Sequence, residues 1–259
     1  MRRILFDNVS NMRDLGGYSN YAGEITRFGR FIRSNLPEVL SEKEKEILLE
    51  RNFKTVIDLR SEFERKSNKH ALDEKRFSYN CVDLSMLGNI DFSKLDLSNF
   101  EIDFPDMYKK LLENKKKMKE VMDIILNSEG NVLFNCTAGK DRTGVVSMLL
   151  LMIADIPKTD IVADYTLTDV YLEERIIEIM INGMVIPVYM GEVKKEFMEE
   201  TIDFLVNIYG DIHEYMRFIG LSTNDVEKIR NKLIGCCVYG SRNGRRFAFS
   251  NLFYCGRNT

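Results

Sequence analysis

Histidine is almost missing from this chain. Only His70 and His213 occur among its 259 residues, far apart. Cysteine is scarce too: five residues, an odd number, with no C-x-x-C. A structural zinc site needs Cys or His at short repeated spacings, and a disulfide framework needs paired cysteines, so neither organises this protein. No metal or other cofactor is expected, and both histidines are expected at the surface or partly buried. Such thiol usage fits a reduced, cytoplasmic protein with at most one special cysteine. There is no basic excess either: 37 Lys and Arg stand against 40 Asp and Glu, a net charge of -3. That argues against nucleic acid or an anionic membrane as a partner. Long apolar runs are also lacking. The longest, Val145 to Ala154, is too short to span a bilayer, so no integral membrane association is expected. The start, Met1-Arg-Arg-Ile-Leu-Phe-Asp7, meets an acid before any apolar stretch develops, unlike a secretory signal. No internal repeat or low-complexity linker is visible.

What is present is ordinary for a globular protein: 44% apolar and 30% charged residues, enough to bury a core. The pattern alternates strand and helix. Short strands are predicted over Phe28–Arg33, Lys54–Leu59, Phe77–Leu84 and Asn131–Asn135. Ser41-Glu-Lys-Glu44 reads as a capping box before a helix from Glu42 to Arg51. Residues 103–127 and Thr143 to Ala154 read as helices. From Lys158 to Ile234 the pattern is helical, with breaks at Gly183, Pro187, Gly210 and Gly220, and with Ser222 to Asp225 capping the last segment. The expectation is an α/β fold: a central, mostly parallel sheet flanked by helices on both faces, and a helical C-terminal half. A domain over 1–234 is followed by a tail, 235–259, which is basic, lacks periodicity and holds Cys236, Cys237 and Cys255; no role is assigned to it.

Ligands of parallel sheets bind at the carboxyl ends of strands. That singles out the loop after Leu59 and the loop after Asn135. The second reads Cys136-Thr-Ala-Gly-Lys-Asp-Arg142-Thr143. Six residues joining a buried strand to a buried helix must curl, turning backbone amides and the helix's positive end toward one spot, an anion cradle. Gly139 permits the backbone angles this demands. Arg142 offers a planar fork for two phosphate oxygens. Amides, helix terminus and guanidinium together favour the Cys136 thiolate, placed to attack phosphorus and form a phosphocysteine that water hydrolyses. Thr143 can donate to the sulfur when it leaves. Thr137, Ala138, Gly139, Lys140 and Asp141 complete the phosphate-binding loop. Against this stands a plain buried cysteine. Chance production of C-x5-R-[ST] in a chain with five cysteines is roughly a few per cent, and the glycine, strand and helix reduce it further. A nucleotide P-loop is rejected, because Asp141 follows Lys140 where a hydroxyl is needed and the first glycine is missing.

The stretch "CTAGKDRTG" resembles the signature of a bacterial cysteine-dependent tyrosine phosphatase family, H-C-x-x-G-K-D-R-T-G. "NMRDLGGY" at 11–18, "GRFIRSNLPEVLSEKEKEILLERNFKTVIDLRSEFE" at 29–64, "MYKKLLEN" at 107–114 and "ADYTLTDVYL" at 163–172 are similar to that family's segments in order, over about residues 8–234. The resemblance implies hydrolysis of phosphotyrosine, with phosphoserine, phosphothreonine or phosphoinositides accepted by some members, and no metal. One position departs: Asn135 stands where the family has histidine. Asparagine donates a hydrogen bond but carries no charge, so the loop should form with a less acidic thiol. A pseudophosphatase, binding phosphate without turnover, is the reading that Asn135 alone encourages.

A leaving phenolate or alkoxide needs a proton. Asp58, ending the strand in "VIDLRS", is the first candidate, and the resemblance places an acid there; the alternative is a structural carboxylate that pairs with Arg60 or caps backbone amides. Asp141 is the rival, unless it orients Arg142 or receives a substrate hydroxyl. Lys140 suits a substrate with several anionic groups, hence the phosphoinositide alternative. Arg13 and Asp14 resemble residues near the family's site, or form an ion pair holding the N-terminal arm. Met180, Met184, Met190 and Met198 are core packing or, less simply, a lid.

Overall fold

The computed structural model describes residues 2–85, 103–181 and 192–234. The breaks at Gly183 and Pro187, Met184, Met190 and the tail 235–259 lie outside the described residues.

Among the described residues five strands form one sheet: β1 Arg13–Asp14, β2 Phe31–Ser34, β3 Phe53–Asp58, β4 Ser78–Cys81 and β5 Asn131–Asn135, in the order β1-β2-β5-β3-β4. β1 runs antiparallel to β2; the other neighbours are parallel. The central β5 is the apolar run Val132-Leu133-Phe134 between two asparagines, and all five of its residues are buried. Successive residues of a strand face opposite sides. Phe31, Ile57, Val132 and Phe134 accordingly enter one core and Ile32, Val56 and Leu133 the other.

Helices α1 Glu42–Glu50, α2 Glu62–Ser67, α3 Phe104–Glu113, α4 Lys115–Asn127, α5 Asp141–Ile153, α6 Lys158–Ile181, α7 Lys195–Tyr209, α8 Ile212–Ile219 and α9 Thr223–Leu233 follow in chain order. The larger core holds residues of α3 to α9, whereas the smaller is closed by α1, the N-terminal segment and Leu72 and Phe77. The cover is thus lopsided, with most helical mass on one face. α5 is apolar around its whole circumference, and ten of its residues are buried. An element of that kind belongs in a core rather than on a surface. Met198 is buried against the same core, so it is packing.

Several boundaries differ from expectation. The strand predicted from Phe28 begins at Phe31, and the one predicted over Phe77–Leu84 contracts to Ser78–Cys81. The helix predicted over 103–127 splits at Asn114, whose backbone leaves the helical region while its side chain caps α4 by accepting from the Lys117 amide. β1 and α2 were not foreseen: one is two residues long, the other six.

Register carries the fold to the site. Ser34 and Asp58 both align with Asn135, and Cys81 aligns with Asp58. Four strands therefore end at one level, and Cys136 follows directly.

Candidate active site

Residues 136–140 leave β5 as a run of bends and enter α5. Four consecutive carbonyls of this loop are held from outside it. Asn135 Nδ2 donates to the Cys136 carbonyl at 3.2 Å. The Leu36 amide donates to Thr137 O at 3.0 Å. Asn11 Nδ2 donates to Ala138 O at 2.9 Å, and an Arg33 guanidinium nitrogen to Gly139 O at 2.8 Å. No cis peptide occurs among the described residues. In a trans peptide the C=O and N–H point in opposite directions. With their carbonyls drawn outward, the amides of Thr137, Ala138, Gly139 and Lys140 turn into the hollow of the loop. Those of Thr137, Ala138 and Gly139 bond no described residue. α5 adds its own positive end, since its N-terminus has no side-chain cap. Four inward amides and an uncapped helix terminus are a site for an anion.

Gly139 cannot be replaced without moving this loop. Its φ is +70°, and a Cβ there would lie 2.5 Å from both Asn35 N and Ser34 O. Behind the loop is a buried charge cluster. Arg13 Nε donates to Asp164 Oδ1 at 3.0 Å, Arg33 reaches Asp164 Oδ2, and the Tyr18 hydroxyl donates to Asp164 Oδ1 at 2.9 Å. Against the cost of burial, the two arginines hold the Asp164 carboxyl at about 2. Burial and the neighbouring Arg33 push Arg13 down to about 10, so it stays charged at neutral pH. Two cations and one anion leave net positive charge beneath the loop, where it favours a bound anion. Arg13 and Asp14 do not pair with each other. They face opposite sides of β1, and Asp14 accepts from the amides of Gly16 and Gly29 at 2.7 and 2.6 Å.

Cys136 is 1% exposed, the first residue after β5, and packs at the edge of the larger core. Arg142 sets its outer guanidinium nitrogens on Glu64, at 2.6 and 2.7 Å. The Thr137 hydroxyl donates to the same carboxylate at 2.6 Å. Although burial opposes it, the Glu64 bonds and the charge of Cys136 push the Arg142 pKa above its ordinary value. Arg142 Nε and Thr143 Oγ1 are buried and have no hydrogen-bond partner among the described residues. Buried donors left over in this way are normally satisfied by something. A phosphate in the hollow would satisfy the first, and the sulfur or that phosphate the second.

Glu64 was missed by sequence reasoning. Its sequence signal was the second capping box, Ser61-Glu-Phe-Glu64, in which its carboxylate accepts from the Ser61 amide at 2.8 Å. His70 was misread. It is buried, not a surface group, and its Nε2 lies 3.0 Å from Asn135 Oδ1.

The two candidate acids part company. Asp58 makes the contacts of a structural carboxylate. Arg60 Nε lies 3.0 and 3.1 Å from its two oxygens, the Arg60 amide donates to Oδ1, and the Tyr79 hydroxyl donates to Oδ2. Against burial, these bonds hold its pKa below the usual carboxylate value. Asp141 is the first residue of α5, beside the hollow, and accepts a hydrogen bond from the Tyr108 hydroxyl. Lys140 turns inward. Its Nζ donates to Glu192 O at 2.9 Å, lies 3.5 Å from Asp141 Oδ1 and stands 4.2 Å above the Phe104 ring.

Several known proteins are similar to this chain. A Cupriavidus necator protein provisionally named a tyrosine-protein phosphatase is 28% identical over 233 residues, 83% of this chain and 82% of its own. A tyrosine-protein phosphatase of Nostoc commune is 34% identical over 150 residues, 55% of this chain and 49% of that protein. Among solved structures, TpbA of P. aeruginosa is 14% identical, covering 61% of this chain and 90% of its own, with a TM-score of 0.30, too slight a likeness to argue from. The sequence profile described as "Tyrosine phosphatase family" matches residues 4–235, which include the whole loop and every residue that anchors it. The chain belongs to the tyrosine phosphatase family.

Proposed function

We propose that the chain is a protein-tyrosine phosphatase that hydrolyses phosphate monoesters through a phosphocysteine at Cys136. One observation carries the reading: the four carbonyls from Cys136 to Gly139 are each held by a donor outside the loop, which turns the amides that follow them toward the loop's own interior. The Cys136 sulfur, as thiolate, attacks phosphorus while the loop amides and Arg142 Nε hold the phosphoryl oxygens. The P–O bond breaks, and the leaving oxygen takes a proton from Asp141. Water then attacks the phosphorus of the thiophosphate and gives a proton back to Asp141. The P–S bond breaks, inorganic phosphate departs, and Thr143 Oγ1 donates to the returning sulfur. Thr137, Ala138, Gly139, Lys140 and Asp141 contribute backbone to the cradle. Glu64 grips only the outer nitrogens of Arg142, which leaves the Nε edge for phosphate.

Phosphotyrosine in proteins is the favoured substrate. The sequence argument for a phosphoinositide was the charge of Lys140, and that charge is engaged by Glu192 O and the Phe104 ring. A reducing, cytoplasmic setting keeps Cys136 a thiol. Turnover of para-nitrophenyl phosphate, with Cys136→Ser as the control, is the test. The wild type is expected to turn over and the variant to bind inorganic phosphate without turnover. Equal rates would assign the chemistry elsewhere, and no turnover by either protein would leave a phosphate-binding module.

A further inference from the structure

We infer that His70 is a positioning residue for the nucleophile, acting through Asn135 to set the plane of the peptide that joins Cys136 to Thr137. The inference rests on the phosphocysteine reading above. Its basis is a chain of donors with a defined direction. The Leu72 amide donates to His70 Nδ1 at 3.0 Å. That ring nitrogen must therefore carry a lone pair, and the proton of a neutral ring is on Nε2. Nε2–H then donates to Asn135 Oδ1 at 3.0 Å, which fixes the amide's orientation. Asn135 Nδ2 is thereby aimed at the Cys136 carbonyl, 3.2 Å away. Every link runs the same way, so each bond polarises the next.

The last link has two consequences for chemistry. It draws the Cys136 carbonyl, the negative dipole nearest the sulfur, toward a donor. It also turns the Thr137 N–H, on the other side of the same trans peptide, into the hollow. Both effects favour a thiolate and a bound anion. Leu36, Asn11 and Arg33 anchor the next three carbonyls; Asn11 is oriented in the same manner, its Oδ1 accepting from Arg13, but the relay from His70 serves the peptide next to the nucleophile. The ring is kept neutral by its surroundings. Burial pushes its pKa down to about 4, against the raising influence of Asp58, Asn135 and Asp73, with Arg60 acting in the same direction as burial. Tyr79 packs edge-on to the ring at 5.1 Å. At neutral pH His70 is thus a fixed dipole, so Asn135 lends this position direction where a histidine would lend charge.

The experiment measures alkylation of Cys136 by iodoacetamide against pH, read on the Cys136 peptide by mass spectrometry, together with the pH profile of kcat/KM. His70→Phe keeps a ring against Tyr79 and removes the donor. Its alkylation midpoint and the acid limb of kcat/KM are expected to move up together by about one pH unit. His70→Gln, whose amide nitrogen falls near the Nε2 position, is expected to restore the wild-type profile. Unchanged midpoints in His70→Phe, with any loss of rate matched by lost folded protein, would overturn the inference. If His70→Phe does not fold, His70→Gln is compared with His70→Asn, whose shorter side chain cannot reach Asn135. Equal midpoints in that pair would overturn it just as well. Alkylation needs no turnover, so a shifted midpoint in a protein inactive on para-nitrophenyl phosphate would sink the phosphatase reading and leave this one standing.

Discussion

Single residues decide whether the loop exists and which proton it delivers. Gly139 is the sharpest case, because the atoms opposing a Cβ are backbone atoms of the neighbouring strand end and cannot swing aside. Gly139→Ala must either displace residues 34–35 or twist the loop out of its positive φ. Either movement breaks the Arg33 bond to Gly139 O and turns the Lys140 amide. Turnover of para-nitrophenyl phosphate is expected to fall by about 100-fold or more, since a 1 Å misplacement in a catalytic site can cost that much. Isothermal titration with inorganic phosphate should show the binding lost in parallel; intact phosphate binding would mean the loop tolerates the methyl. Asp141 and Asp58 form a second residue-scale contrast. Asp141→Asn should reduce kcat far more on an alkyl phosphate than on an aryl phosphate with a good leaving group, because only the poor leaving group needs the proton. Asp58→Asn should reduce both alike, through the loss of its Arg60 and Tyr79 bonds. If the leaving-group split appears in Asp58→Asn instead, the acid is reassigned.

At the scale of elements, α2 shows how much of the site could be read in advance. Glu64 does two jobs: its carboxylate closes the capping box with Ser61 and holds the fork of Arg142. The two are separable. Ser61→Ala removes the cap and should cost about 1 kcal/mol of stability with little change in kcat/KM. Glu64→Gln keeps a side chain able to cap but loses the ion pair, and should lower kcat/KM by about 10-fold to 100-fold with a small change in melting temperature. Melting curves and steady-state kinetics on both variants check the crossing; a Glu64→Gln enzyme with normal kcat/KM would show that Arg142 orients itself. The box lies within four residues of sequence, a local signal of the kind read at Ser41–Glu44 but passed over here. The pairing with Arg142 was not legible, because it joins residues 78 apart. His70 was misjudged for the same reason: its partner is 65 residues away, and composition gives no hint of burial. β5 was read to the residue because an apolar run between two asparagines has one plausible end at each side. The split at Asn114 was hidden because no glycine or proline marks it; asparagine caps a helix as readily as it continues a loop. Cys136, Arg142 and Gly139 were legible from the local strand–loop–helix pattern, whereas the anchors Asn11, Leu36 and Arg33 only became visible once the sheet had brought them together.

The whole molecule carries these buried groups as a pH dependence with opposing parts. His70 has a pKa of about 4 in the fold and 6.5 outside it, so its contribution is intact above 6.5 and is lost as pH falls toward 4. Asp14 works the other way. Burial pushes it up to about 6 from 3.8, against the Gly29 and Gly16 amides, so its contribution is intact below 3.8 and is lost as pH rises through 6. Each is about 3 kcal/mol at full extent, and acidification between 6.5 and 4 removes one while restoring the other. Below 4 no such balance remains. Asp164 and Glu64 are both held at about 2, the first by Arg13 and Arg33 and the second by Arg142, in each case against burial. Their contributions are present above the ordinary carboxylate range and vanish as pH falls through 2. The melting temperature is therefore expected to stay nearly level from pH 6.5 to 4 and to drop steeply below 4. Asp14→Asn removes the compensating group and leaves His70 unopposed, so its melting temperature should already decline between pH 6.5 and 4. Thermal melts of both proteins across this range check the claim: parallel curves for wild type and variant would mean that Asp14 is not the counterweight.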